Sequence, residues 1–188
     1  MTKNTIILGF AGSLRKGSYN KSILKAAAEL TPKDCEIETF DLDGIPPYNA
    51  DLESEMPAKV REFKAKIRSA DAILIATPEY NYSIPGVLKN AMDWASRPYT
   101  DNSFEGKPVA IMGASGGMLG TARAQYHLRQ TFVYLDMHPI NRPEVFVTFA
   151  KEKIDENGNL KDEKTRELIK KLLENLAASA RKIKNQGT

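Results

Sequence analysis

The sequence predicts a doubly wound α/β domain, in which helices cover both faces of a parallel sheet. Three observations lead to this prediction. Short apolar runs alternate with amphipathic helical segments along the whole chain. Most of these runs are apolar at every position, which is typical of parallel strands that are buried on both faces. Polar or glycine-rich loops follow three of the runs, as they do at the ligand-binding edge of such sheets.

Five strands and five helices are predicted from the spacing of the apolar residues. The predicted strands cover residues 5–10, 36–42, 71–77, 108–114 and 145–149. The predicted helices cover residues 20–30, the regions around 60–67 and 88–95, about 121–135, and the chain from Leu160 onwards. This alternation fits the sheet order 2-1-3-4-5, which reverses direction between the first and third strands. We expect residues 1–188 to form a single domain.

Length, charge and cysteine content exclude several classes of protein. The 188 residues carry a net charge of +3 that is spread along the chain, without the basic cluster of a nucleic-acid-binding protein. No apolar run reaches the length of a membrane span, and the N-terminus lacks the apolar core of a signal peptide. Because Cys35 is the single cysteine, an internal disulfide is excluded. We therefore expect a cytoplasmic protein that binds neither nucleic acid nor membranes.

The first polar loop, GSLRKGSYN, begins at Gly12 and lies between a predicted strand and a predicted helix. The free N–H groups at a helix N-terminus bind anions such as phosphate. Ser13 and Ser18 add hydroxyl groups, Arg15 adds a guanidinium, and Asn20 is a candidate helix cap. The loop lacks the lysine of a P-loop and the spacing of a dinucleotide-binding turn, which disfavours nucleoside triphosphatases and Rossmann dehydrogenases. The alternative is an ordinary loop with a polar cap, in which Arg15 is a solvated charge.

The second loop, TPEYNYSIPG, begins at Thr77 and brings two tyrosines to the same edge of the predicted sheet. The backbone N–H groups of Glu79, Tyr80 and Asn81, with the side-chain amide of Asn81, are candidate donors to the polar edge of a planar ring. Alternatively, the tyrosines pack against neighbouring helices or a partner subunit. Glu79 is a candidate general acid, although a carboxylate that precedes a helix needs no catalytic role.

The third loop, GASGGMLGTA, follows the fourth predicted strand. The N–H groups of Gly116 and Gly117 are candidates for stabilising negative charge that develops on a ring. The alternative is a tight turn in which glycine is needed for a positive φ angle.

Reactive side chains are scarce in this sequence. His127 and His138 have no companion residues at metal-ligand spacing, and Cys35 has no helper residue nearby. We predict no metal site and no catalytic side chain. A bound cofactor that supplies the chemistry would explain this scarcity.

Three motifs, GSLRKGSYN, PEYNYSIPGVLKNAMDW and GKPVAIMGASGGMLGTARAQYHLRQTF, closely resemble those of the NAD(P)H-dependent FMN reductases, which include bacterial quinone and chromate reductases. The resemblance runs from about Ile6 to Val147 and implies a flavodoxin-like fold. It implies that the FMN phosphate is held by Ser13, Arg15, Ser18 and Asn20. It implies that the ring and the ribityl chain are held by Pro78, Glu79, Tyr80 and Asn81. It places three residues at the pyrimidine side of the ring, namely Ser115, Gly116 and Gly117.

The resemblance also implies an activity. Such enzymes transfer a hydride from NAD(P)H to the flavin, release the nicotinamide, and then reduce a second substrate on the same flavin face. The implied acceptors are quinones, with chromate, ferric complexes, azo dyes and nitroaromatics as further candidates. Three alternatives remain open, namely a reductase that supplies free reduced FMN to a partner protein, a flavodoxin-like electron carrier, and a structural or sensory flavin module. Family members form homodimers or homotetramers, and the positions implied near the subunit contact are Tyr82, Arg123, Tyr126 and Glu144.

Overall fold

The computed structural model describes residues 4–186, which form a parallel sheet with helices on both faces. The strands are β1 (Thr5–Ala11), β2 (Cys35–Phe40), β3 (Ala72–Ala76), β4 (Pro108–Ala114), β5 (His138–Pro139) and β6 (Val145–Val147). The helices are α1 (Tyr19–Glu29), α2 (Ala58–Ser69), α3 (Gly86–Ala95), α4 (Ala122–Tyr134), α5 (Ala150–Lys153) and α6 (Glu163–Gln186). The sheet order is β2-β1-β3-β4-β5, which confirms the predicted order.

The edge of the sheet beyond β4 differs from the prediction. One strand was predicted over residues 145–149, but two short strands occupy this position, so the sheet has six strands instead of five. β5 pairs with the beginning of β4, and β6 pairs with its end. Pro139 and Pro143 have no N–H group with which to continue a ladder, so the chain leaves the sheet between the two strands. β6 ends early because Phe149, at φ 49°, turns the chain into α5.

The core lies on both sides of the sheet, as the apolar runs predict. Adjacent side chains of a strand point to opposite faces. Ile7 of β1 packs with α1 and α6 on one face, whereas Leu8 packs with α2, α3 and α4 on the other. β3 and β4 are buried at every position, whereas the edge strand β2 is partly exposed, which explains its weaker apolar signal.

β1 and β3 end at the same level and β4 continues for two residues beyond it, and this fixes where their loops begin. β1, β3 and β4 are parallel neighbours. Ala11 pairs with Ala76, and Ala76 pairs with Met112. The loops after these strands therefore leave the sheet at one edge, beside the point where the sheet order reverses.

No helix within residues 4–186 has the length and apolar character that crossing a membrane requires.

Asp162 caps the long helix α6, and we expect Asp162→Ala to destabilise the domain by about 1 kcal/mol at neutral pH. Its carboxylate accepts hydrogen bonds from the backbone N–H (2.9 Å) and the hydroxyl of Thr165. These hydrogen bonds lower the pKa of Asp162 despite its partial burial. A lowered folded-state pKa means that the stabilisation is complete above the unfolded-state value, about 3.9, and is lost as the pH falls through the folded-state value.

Urea unfolding of the wild type and of Asp162→Ala across acid and neutral pH measures this effect. The difference in unfolding free energy should be largest near neutral pH and should shrink in strong acid. Asp162→Asn, which keeps an acceptor oxygen, serves as the matched control. A difference that is independent of pH would contradict a role for the ionised carboxylate.

Candidate functional site

The first loop places the N-terminus of α1 at the end of β1. The Gly12 N–H donates to the Ala76 carbonyl at 2.9 Å, which joins the start of this loop to the end of β3. Ser18 is the helix cap, because its side-chain oxygen accepts from the Asn20 N–H at 3.2 Å. The prediction that Asn20 caps the helix was therefore wrong, since Ser18 is the last extended residue before the helix begins. Ser13 and Ser18 are buried, whereas Arg15 is exposed and lies 5.3 Å from the ring centre of Tyr19.

Asn20 points across the sheet instead, and it is only 2% exposed. Its side-chain N–H₂ donates to the Ala114 carbonyl at 3.0 Å, and its side-chain oxygen accepts from the Ala114 N–H at 2.9 Å. The first turn of α1 is thus bonded to the last residue of β4, immediately before the third loop.

The second loop contains a tight turn from Tyr80 to Ser83. The Tyr80 N–H donates to the Ser83 carbonyl at 3.0 Å, and the reverse hydrogen bond is 2.9 Å. Asn81 and Tyr82 both have positive φ angles, as the central residues of a type I′ turn do. The Tyr80 N–H is bonded within this turn, contrary to the prediction that it donates to a ring. Among the residues that the structure describes, the N–H groups of Glu79 and Asn81 have no acceptor.

The carboxylate of Glu79 joins the second loop to α4, with only 8% of the side chain exposed. It accepts from the backbone N–H groups of Arg123 (3.1 Å) and Ala124 (3.3 Å) and forms an ion pair with the Arg123 guanidinium. Glu79 therefore caps α4, whose own first residues provide no side-chain cap. These bonds disfavour the hypothesis, left open by the sequence, that Glu79 is a general acid.

The four positions that the resemblance places near a subunit contact form two pairs within this chain. The hydrogen bond with Glu79 raises the pKa of Arg123, and the guanidinium carbon lies 3.4 Å from the ring centre of Tyr82. The Tyr126 hydroxyl donates to Glu144 at 3.0 Å. Tyr82 and Tyr126 remain 68% and 52% exposed.

The third loop leaves two glycine N–H groups without an acceptor in the described part of the chain. Ser115 is held by backbone hydrogen bonds to Val147 and Ala150, whereas the N–H groups of Gly116 and Gly117 make none. Neither of these glycines has a positive φ, and a Cβ atom at either would meet no atom within 4 Å. In this loop the residue that requires glycine for a positive φ angle is Gly120, whose φ is 53°. Gly116 and Gly117 thus provide an unobstructed pair of donors.

The three loops enclose two adjoining cavities that share Glu79 and Ser115. We call the two cavities together the three-loop cleft. The first, of about 200 Å³, is lined by Ser13, Arg15, Ser18, Tyr19, Asn20, Pro78, Glu79, Tyr80, Ala114, Ser115 and Gly116. The second, of about 270 Å³, is lined by Glu79, Ser115, Gly117, Met118, Leu119, Thr121 and Arg123. Every predicted cofactor-binding residue except Asn81 lines one of the two. Sequence reasoning missed five lining residues, for which the only available signal was their position within or beside the motifs, namely Tyr19, Ala114, Met118, Leu119 and Thr121.

Two larger cavities flank α1, with volumes of about 350 and 390 Å³. Both are bordered by Lys21 and Lys25. Lys21 is already paired with Asp41, and Lys25 donates to Asn159. Neither cavity contains the unbonded glycine donors of the three-loop cleft, so size alone does not make them the better candidates. Within residues 4–186 no cluster of three or more potential metal ligands is found.

The donor set of the three-loop cleft fits FMN. At one end, the helix N-terminus, two hydroxyl groups and the Arg15 guanidinium suit a phosphate. At the other end, the N–H groups of Gly116 and Gly117 suit the polar edge of a flat ring. Buried residues at the strand ends, Pro78 and Ala114, also line the cleft.

Comparisons with known proteins agree with this fit. A family model described as NADPH-dependent FMN reductase matches residues 5–152. An NAD(P)H-dependent FMN reductase of Pseudomonas aeruginosa is 52% identical over 185 residues, which covers 98% of this chain and 100% of the relative. An NAD(P)H:quinone oxidoreductase of Solanum tuberosum is 46% identical over 187 residues, which covers 96% of this chain and 95% of the relative.

A solved structure supports the same assignment. The flavoenzyme FerB, an NAD(P)H:(acceptor) oxidoreductase from Paracoccus denitrificans, superimposes with a TM-score of 0.87 at 35% sequence identity. The match covers 95% of this chain and 98% of FerB. The chain therefore belongs to the NADPH-dependent FMN reductase family and is an oxidoreductase with FMN as its cofactor and NAD(P)H as its hydride donor.

Proposed function

We propose that this chain is a quinone reductase that uses FMN and NAD(P)H. One observation carries the proposal, namely the convergence of three loops on a cleft with an anion site at one end and unbonded glycine donors at the other. The relatives support the acceptor class, since the Solanum tuberosum relative is named a quinone oxidoreductase and a Burkholderia relative a 2-hydroxy-1,4-benzoquinone reductase. Chromate, ferric complexes, azo dyes and nitroaromatics extend the proposal as further acceptors.

The residues of the first loop hold the phosphate in this proposal. Ser18 keeps its O–H as a donor, because its oxygen accepts the Asn20 N–H in the cap. Ser13 provides a second buried hydroxyl, and Arg15 provides the charge. The dipole of α1 adds to this attraction because the helix points its N-terminus into the cleft.

The residues of the second and third loops hold and orient the ring. Gly116 and Gly117 donate to its pyrimidine edge, and Glu79 and Asn81 contribute backbone N–H groups. FMN held there would supply the hydride-transfer chemistry that links NAD(P)H to the acceptor. Reduction of a quinone to a hydroquinone also consumes one proton, which in this proposal comes from water, because the Glu79 carboxylate is bonded to α4. Exposed side chains, including Tyr80 and Met118, border the open side, where the nucleotide and the acceptor bind in turn.

Steady-state kinetics of the purified protein test this function. The protein should retain FMN through gel filtration and oxidise NAD(P)H in the presence of 1,4-benzoquinone, with the parallel double-reciprocal lines of a ping-pong mechanism. Loss of FMN on the column with continued flavin reduction would indicate a reductase that supplies free FMN. FMN retention without direct oxidation of NAD(P)H would indicate an electron carrier. A protein that binds no FMN would refute all three.

Arg15→Ala is expected to weaken FMN binding by about 1–3 kcal/mol, the range for a charge-assisted hydrogen bond. Titration of the apoprotein, followed by the quenching of flavin fluorescence, measures the affinity. Riboflavin, which lacks the phosphate, should bind the variant and the wild type equally. Lys16→Ala is the matched control, because Lys16 lines a neighbouring cavity and not the cleft. Equal FMN affinity for Arg15→Ala and wild type would show that Arg15 is only a solvated charge.

We also propose that the chain forms a homodimer or homotetramer in the cytoplasm. The exposed aromatic rings of Tyr82 and Tyr126, with Arg123 and Glu144, offer a surface that a second copy of the chain can cover. Light scattering during gel filtration gives the number of subunits directly, and comparison with Tyr126→Ala tests whether this surface lies in the contact.

A further inference from the structure

Asn20 connects two loops that are far apart in the sequence. Its side-chain amide makes two hydrogen bonds to one residue, Ala114, which lies 94 positions further along the chain. Both bonds have near-ideal lengths, 3.0 and 2.9 Å, and the side chain is almost completely buried. An amide side chain offers the donor and the acceptor that this arrangement needs on two separate atoms.

The reason that Ala114 needs such a partner lies in the sheet. The ladder between β3 and β4 ends at the pair Ala76 and Met112, followed by a last hydrogen bond from the Thr77 N–H to Met112. The chain then turns away at Pro78, so Ala114 has no strand residue beside it on the β3 side. Buried backbone N–H and C=O groups without partners are costly. Asn20 takes the place of the missing strand residue.

Ala114 also fixes the position of the third loop, because Gly116 follows it by only two residues. The bond to Asn20 therefore sets the distance between the N-terminus of α1 and the glycine N–H groups. The phosphate-binding end and the ring-binding end of the cleft are held together before any ligand arrives. Preorganisation of this kind increases affinity by removing the cost of ordering the loops on binding.

We propose that Asn20 is a positioning residue that aligns the two ends of the flavin cleft, and not a ligand of the FMN phosphate. This inference rests on the proposed function for its ligand, but the hydrogen bonds between Asn20 and Ala114 belong to the chain alone. It differs from the role that family resemblance implies for Asn20. One N–H of the amide is left over, and any donation from it to the phosphate would appear as a loss specific to phosphorylated flavin.

Two flavins separate these roles. Apoproteins of the wild type, Asn20→Ala and Arg15→Ala are titrated with FMN and with riboflavin, well below their melting temperatures. For Asn20→Ala we expect the affinities for both flavins to fall by the same factor, about tenfold, since two buried hydrogen bonds are lost. For Arg15→Ala we expect only the FMN affinity to fall. The ratio of FMN to riboflavin affinity is thus unchanged in the first variant and lowered in the second.

Two results of these titrations would overturn the proposal. A loss confined to FMN in Asn20→Ala would make Asn20 a phosphate ligand. Unchanged affinity for both flavins would make it a residue that serves overall stability only. A wild type that binds neither flavin would refute the proposed function instead, and the link between Asn20 and Ala114 would then be judged by the next measurement.

Hydrogen exchange in the wild-type apoprotein provides that independent test, which does not depend on whether a variant folds. The Ala114 N–H should exchange as slowly as the N–H groups inside β4, although it has no strand partner on that side. The N–H groups of Gly116 and Gly117 should exchange rapidly until flavin is added. Rapid exchange at Ala114 would show that the link to Asn20 is not maintained in solution and would refute the proposal.

Discussion

Gly113→Ala is expected to destabilise the domain by about 3 kcal/mol, at the upper end of the usual range for overpacking. A Cβ atom at Gly113 would lie 1.9 Å from the Thr121 hydroxyl and 2.5 Å from the Thr77 carbonyl oxygen. The carbonyl belongs to the backbone at the start of the second loop, so it cannot rotate away as a flexible side chain does. β3 and β4 would have to separate at the edge where the cleft forms.

The same displacement should weaken flavin binding, because Gly113 is the first residue of the third loop and lies beside Thr77, the first residue of the second. Urea unfolding of the apoprotein and titration with FMN measure the two effects. Gly86→Ala is the matched control, since a Cβ atom there meets nothing within 4 Å and the residue begins α3. We expect that control to keep its stability to within about 1 kcal/mol. Equal stability of the two variants would contradict the close packing at the end of β4.

The sheet could be predicted because its signal is local. Residues buried on both faces of β1, β3 and β4 produce uninterrupted apolar runs, and the polar loops that follow them identify the ligand-binding edge. β5 could not be predicted, because its two residues are too few to show any periodicity and one of them is Pro139. The division of this sheet edge into β5 and β6 depends on where each strand pairs with β4, and the local sequence does not show that pairing.

The site was predictable as a set of loops but not as a set of bonds. Ser13, Ser18 and Gly116 were identified because each lies where an apolar strand gives way to a polar turn. The partners of Asn20 and Glu79 are 94 and 44 residues away, so no motif spacing relates them. Polar residues of a motif are therefore of two kinds, those that face the ligand and those that hold the loops, and only coordinates separate them.

Glu79 is of the second kind, and Glu79→Ala is expected to destabilise the apoprotein by about 2 kcal/mol. The change removes the acceptor for two N–H groups at the start of α4 and the partner of the Arg123 guanidinium. Glu79→Gln should cost less, because an amide oxygen still caps the helix although the charge is lost. Glu105→Ala is the matched control, an exposed carboxylate without an ion pair among the described residues, and should be neutral to within about 0.5 kcal/mol.

A double-mutant cycle with Arg123→Ala divides the effect between the helix cap and the ion pair. Arg123 is partly exposed, so solvent and salt screen its attraction to Glu79, whereas the two backbone hydrogen bonds lie at the helix terminus. Most of the cost of Glu79→Ala should therefore persist when Arg123 is already alanine, and the coupling term should shrink as salt is added. If the cost vanishes in the Arg123→Ala background, the ion pair alone holds the second loop, and Glu79 does not cap α4 in solution.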